Sequence, residues 1–225
     1  MPDASLLLSP QDPPSAREFF ETLWRWSLTG DDLDEGVEAE IRPLNPARKN
    51  APAWKYRPAT TVTEAVELAM KADQLGHNTY MGVHLRRRGC GRAGEDSVAV
   101  LTAMIADVDC DKHNIRPSQV ERIVMAMPWG PPTMMVWSGG GWHVYWCYRE
   151  PIDAHDDRSF ADHHRACAWI RAWINDALGV PAADQMHTRD RILRVPGTHN
   201  YKEARRRPDG TFPAIGSDPM VVRAR

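Results

Sequence analysis

Long apolar runs are missing from this chain: nowhere do about 18 apolar residues follow one another, so no bilayer-spanning helix is expected. The opening MPDASLLLSPQDPP has no basic stretch and only three leucines in a row, which is not the pattern of a secretory signal. Cysteine is sparse. Cys90, Cys110, Cys147 and Cys167 form no CxxC pair, which argues against structural zinc and for reduced thiols in a cytoplasmic protein. HExxH and His-x-His spacings are absent as well, so His155, His163 and His164 read as surface or packing residues. A net charge of −2 excludes a simple polycationic coat for nucleic acid.

What is present is unevenly spread. Residues 1–40 hold ten acids and two bases, so a remainder of opposite sign carries the basic clusters Arg86, Arg87, Arg88 and Arg205, Arg206, Arg207. Such clusters are as a rule solvated loops, and gain interest only beside a site. With 225 residues, 42% of them hydrophobic, and nine tryptophans, the chain can bury one sizeable core divided between two lobes.

Apolar spacing predicts a helix over SAREFFETLWRWSLTG with Gly30 as its stop, a strand over VEAEIRPL, and a loop over residues 43–59. A second helix, TVTEAVELAMKADQLG, ends at Gly76, followed by the strand NTYMGVHLR and the basic loop RRGCGRAGED. SVAVLTAMIADVD is apolar on both sides towards its middle and is expected inside a sheet. RPSQVERIVMAM reads as a helix with Pro117 in its first turn. TMMVWS and WHVYWCY are strand-like runs separated by GGG, which predicts an antiparallel hairpin. The longest helix, DDRSFADHHRACAWIRAWINDALG, closes at Gly179, and the short strand RILRV and a strand-like PMVVRAR complete the order.

Three stretches carry chemistry. Asp107 and Asp109 end a buried strand, and alternation puts both on one face with Val108 on the other. Unpaired carboxylates at that spacing raise each other's pKa, so a cation is expected between them; taken alone, the pattern also suits a turn or helix cap. In WSGGGWHVYW, Gly140 and its neighbours can bring backbone N–H groups close to a phosphate chain, Ser138 can donate to a phosphate oxygen, and His143 can donate from its ring. An ordinary hairpin with a half-buried histidine is the other reading. In ADQMHTRDRILRVPGTHNYK, Arg191 and Arg194 offer phosphate-binding forks and Lys202 a point charge, with Asp184 or Asp190 to complete the carboxylate set. A salt-bridged surface strand would look the same.

The order DVD, then S-G-G-G-W-H, then D-x6-R-x-x-R-V-P-G-T-H-N-Y-K resembles the archaeo-eukaryotic primase superfamily, and most closely the primase-polymerases of phages, plasmids and other mobile elements. The resemblance spans roughly residues 15–225, its specific motifs lying within about 78–202. It implies an α+β fold with an RRM-like antiparallel palm (residues 96–225) and an N-terminal α/β lobe (residues 1–95). It also implies Asp107, Asp109 and Asp184 as catalytic ligands of Mg²⁺ or Mn²⁺, with Asp190 in reserve. Ser138, Gly140, His143, Arg191, Arg194 and Lys202 would then bind the nucleotide. Arg86, Arg87 and Arg88 would sit near template or nucleotide, and Tyr80 near the sugar unless it is a core tyrosine. The activity implied is template-directed nucleotidyl transfer from nucleoside triphosphates, with single-stranded DNA as template and primer. The chain is expected to be part of a longer protein, with a fused or separate helicase as partner.

Two rivals stay open. A non-catalytic DNA-binding initiator module could keep the same palm. A phosphatase of the DxD type expects DxDx[TV], whereas Asp111 holds the fifth position here, and it expects a parallel sheet.

Overall fold

The computed structural model describes residues 15–46, 56–91, 94–202 and 206–215. Helix α1 (Ala16–Leu23) starts on a capping box in which Ser15 and Glu18 satisfy each other's backbone N–H groups. It buries Phe19, Phe20 and Leu23. The helix stops before the expected Gly30, because Trp24 turns into a 3₁₀ segment and Leu28 leaves to pair with Leu33. That pairing joins β1 (Leu28–Thr29) and β2 (Asp32–Leu33), with Gly30 at φ +65° in the connecting turn.

Strand β3 (Val37–Leu44) falls where the alternation placed it. The stretch expected to be loop contributes β4 (Arg57–Ala59), which pairs with β3; residues 47–55 lie outside the described residues. Helix α2 (Val62–Gln74) is capped by Thr61, whose hydroxyl accepts the Glu64 N–H at 3.0 Å, and Gly76 at φ +72° follows it. The next strand is broken in two, β5 (Asn78–Gly82) and β6 (Leu85–Arg87).

Strand β7 (Val98–Asp109) leads into a single helical turn, α3 (Cys110–His113), that the sequence pattern did not reveal. Helix α4 (Pro117–Met125) carries its proline at the first position. Strands β8 (Met134–Trp137) and β9 (Gly141–Asp153) form the hairpin. Helix α5 (Asp157–Leu178) is capped by Asp156 and closed by Gly179 at φ +71°. Strand β10 (Ile192–Arg194) is the last among the described residues; the strand-like run at 219–225 lies outside them.

Every pairing described is antiparallel, in the order β10-β5-β3-β6-β7-β9-β8, with β4 on the other edge of β3. The architecture is therefore α+β. Strands β5 and β6 lie along the same edge of β3, as two halves of one bent strand kinked at Val83 and His84. The far edge of that bent strand pairs with β10 through β5 and with β7 through β6, so β10 and β7 diverge from it like the prongs of a fork.

The strands of the second prong are buried on both faces. Ala103 and Ile105 of β7 and Tyr145 of β9 share one face with Phe19 and Phe20 of α1. Ala106 and Val108, with Trp142 and Val144, share the opposite face with Val120 and Val124 of α4 and Ile170 and Ile174 of α5. No described helix is long and apolar enough to cross a membrane.

Candidate active site

One stripe of β7 reads Ala103, Ile105, Asp107, Asp109. The first two sit in the core shared with α1, and the last two emerge beyond it, partly exposed. Register decides what lies beside them. On one side Asp107 faces His143 and Asp109 faces Gly141 in β9. On the other, residues 182–184 run antiparallel to the strand end: Asp184 N–H donates to Asp107 O at 2.8 Å and Asp109 N–H to Ala182 O at 2.9 Å. Residues directly opposite in antiparallel strands share a face, so Asp184, Asp107 and His143 form a row across three neighbouring segments.

The glycines of the hairpin make this register possible. A Cβ at Gly141 would lie 2.1 Å from the Val108 carbonyl oxygen, so only glycine fits against β7 there. Gly140 O accepts the N–H groups of Cys110 and Asp111, at 3.1 and 3.0 Å, which docks the turn onto α3. Ser138 sends both its N–H and its hydroxyl to Gly141 O, at 2.8 and 3.1 Å, so the hydroxyl expected to meet a phosphate holds the turn instead. Among the described residues, no backbone acceptor takes the N–H groups of Gly139 and Gly140.

The cations arrive on β10 and the segment after it. Arg194 is buried, stacks 4.8 Å over the Tyr80 ring, and donates to Asn78 Oδ1 at 2.7 Å. Arg191 donates to the Gln185 carbonyl, while its Nε is buried with no hydrogen-bond partner. The segment 198–202 is pinned on α2: His199 N–H and Nδ1 reach the two oxygens of Asp73 at 2.6 and 2.8 Å, and Tyr201 donates to the Asp73 carbonyl at 2.8 Å.

These groups lie close enough to act on one another electrostatically. Burial first, then Asp109 and Asp184, push the Asp107 carboxyl up to about 7, against the pull of Lys202 and Arg191. Burial, with Arg194 and Lys202, drives His143 down to about 3, so the ring is neutral near pH 7. Its Nε2 lies 3.7 Å from Asp107 Oδ1, beyond a hydrogen bond, and its Nδ1 is buried without a partner.

Register thus sets Asp107, Asp109, Asp184, Gly140 and His143 at one end of β7, with Ser138 holding the turn, and Arg191, Arg194 and Lys202 near enough to act on Asp107 or His143. Asp190 makes none of the backbone contacts that lay Asp184 against β7. Tyr80 stands at the site under Arg194. The arginine cluster does not join it as expected. Arg86 is buried in an ion pair with Glu40 and bonded to Ser97; Arg87 donates to Asp96 O at 2.8 Å and Arg88 to Val37 O at 3.2 Å. Of the second cluster, Arg205 lies outside the described residues, and Arg206 stacks over Phe212. The sequence reading missed Asn78, Asp73 and Asn200, whose short polar side chains each bond a partner more than 60 residues away.

Among the described residues, no three His, Cys, Asp or Glu side chains gather into a group that could hold a metal ion by themselves. The donor chemistry nonetheless suits a hard divalent cation: oxygen-only side chains, one of them held partly protonated by burial and then by its acidic neighbours. Mg²⁺ takes one or two carboxylates plus substrate phosphates rather than a closed protein cage.

No protein-family model matches the chain, and no curated protein matches it. Among solved structures it is similar to the "catalytic domain of primase Repb' in complex with initiator DNA", at 9% identity and a TM-score of 0.47, covering 93% of this chain and 85% of that one. A likeness at that level carries no functional weight.

Proposed function

We propose that this protein is a metal-dependent nucleotidyltransferase, a DNA primase-polymerase that joins nucleoside triphosphates to a strand on a single-stranded DNA template. The observation that carries the proposal is the row of carboxylates on the β7 end, opposed by cations from β10 and the segment after it. Phosphoryl transfer needs little covalent chemistry from the protein; it needs the triphosphate positioned and its charge neutralised. Arg191, Arg194 and Lys202 supply that positive charge, and the Gly139 and Gly140 N–H groups supply dipoles. His143, being neutral, offers one ring N–H and no competing charge. Asp107, Asp109 and Asp184 would hold Mg²⁺ or Mn²⁺, which lowers the pKa of an attacking hydroxyl and screens the triphosphate.

The antiparallel sheet sets this protein apart from the parallel-sheet DxD phosphatases. The test is primer extension on primed and unprimed single-stranded DNA, with each nucleotide type and with Mg²⁺ or Mn²⁺. Asp107→Ala and Asp109→Ala are expected to abolish incorporation with the fold intact. Undiminished extension by either variant refutes the assignment, and salt-sensitive DNA binding without incorporation under either metal assigns the non-catalytic initiator module instead.

A further inference from the structure

The hairpin and Lys202 reach the site from different parts of the chain, and one buried side chain joins them. Asn200 is 3% exposed. Its Nδ2 donates to the Ser138 carbonyl at 3.0 Å, its Oδ1 accepts the Lys202 N–H at 3.2 Å, and its own N–H donates to the Pro213 carbonyl at 2.9 Å. Gly139 lets the hairpin close on this amide: at φ +86°, a Cβ there would come within 2.9 Å of Asn200 Nδ2. A second asparagine repeats the device one step away. Asn78 Oδ1 accepts from Arg194 Nη1 at 2.7 Å and from the Tyr201 N–H at 2.9 Å, tying Arg194 to the backbone that carries Lys202.

Resting on the nucleotidyltransferase reading, we propose that Asn200 is a positioning residue for the triphosphate. It couples the 138–141 turn to Lys202, so that backbone dipoles and the ammonium close on the same phosphates. An asparagine suits this role because one planar amide donates and accepts at once, and it adds no charge beside a site built to take an anion. Asn200 itself touches no reacting group. Its effect is on how tightly the nucleotide is held, not on the chemical step.

The test is steady-state primer extension with nucleotide titration, together with direct binding of a deoxynucleoside triphosphate in Mn²⁺ by calorimetry. Asn200→Ala is expected to raise the nucleotide KM about tenfold with kcat within about twofold of wild type. Asn200→Ser, too short to reach the Ser138 carbonyl, is expected to shift KM in the same direction, and it keeps the test open if the alanine variant folds poorly. Because Asn200 acts through Lys202, Asn200→Ala combined with Lys202→Ala is expected to cost less than the product of the single effects. An unchanged KM in a well-folded Asn200 variant of an active enzyme overturns the proposal alone, as does a fall in kcat at constant KM, or full multiplication with Lys202→Ala. A wild-type protein that binds no nucleotide overturns both the proposal and the reading of the site beneath it.

Discussion

Asp107 is the residue whose position is least comfortable. An isolated aspartate titrates near 3.8, and burial with two acidic neighbours pushes this one up to about 7. In the metal-free protein the native state therefore holds a proton between these values that the unfolded chain has already released. Stability from this group is present below about pH 4 and is lost as pH rises towards 7. Asp107→Asn, which cannot ionise, is expected to unfold at higher denaturant than wild type at pH 8 in chelator, by on the order of 4 kcal/mol. The gap should close at pH 4, and urea titrations at both values check it. On the proposed function the same variant is expected to lose incorporation, so the acid would be kept at the expense of stability. His143 runs the other way: with its pKa down at about 3, the stability it contributes is present above about 6.5 and fades as pH falls.

The β8–β9 hairpin shows what an element adds beyond its residues. Its glycines read in sequence as a flexible connection, yet Gly141 is packed against the Val108 carbonyl and Gly140 is bonded to the start of α3. Gly141→Ala is expected to displace the turn, lowering the melting temperature and abolishing nucleotide binding together; a variant with wild-type melting and binding would show that the register is not so constrained. Strands β3 and β6 hold a second element-scale device, the buried Glu40–Arg86 pair, flanked by Arg42 on Glu40 and Ser97 on Arg86. Removing one partner of a buried pair strands the other charge, so Arg86→Ala should cost about 3–5 kcal/mol in equilibrium unfolding. Nucleotide KM in the folded fraction should hardly move, since this arginine is occupied away from the site.

At the scale of the whole molecule, the fork between β10 and β7 is what lays out the candidate site. The bent strand at 78–87 sends one prong each way, and residues 182–184 lie along the β7 prong before the chain returns to β10. Carboxylates thus lie along one prong and cations come from the other. Mn²⁺ binding to this arrangement should raise the melting temperature. An ion at ten times its Kd stabilises by about 1.4 kcal/mol, and the shift should vanish in an Asp107→Asn, Asp109→Asn double variant. An equal shift in that variant would place the ion elsewhere.

Much of this was written in the local pattern. Alternation and caps marked β3, α2, β7, α4 and α5, because each buries a face whose period is visible within a dozen residues. Alternation alone also put Asp107 and Asp109 on one side of their strand. The two-residue strands, β4, and the turn α3 were not legible, since their pairing partners, not their own composition, define them. Arg86 misled for a related reason: three arginines in a row look solvated, and nothing local reveals that Glu40 waits across the sheet. Which acid stands beside Asp107, which asparagine joins the turn to Lys202, and which arginines face inward were decided only by strand register. Register is set by non-local hydrogen bonds and packing that no short stretch of sequence contains.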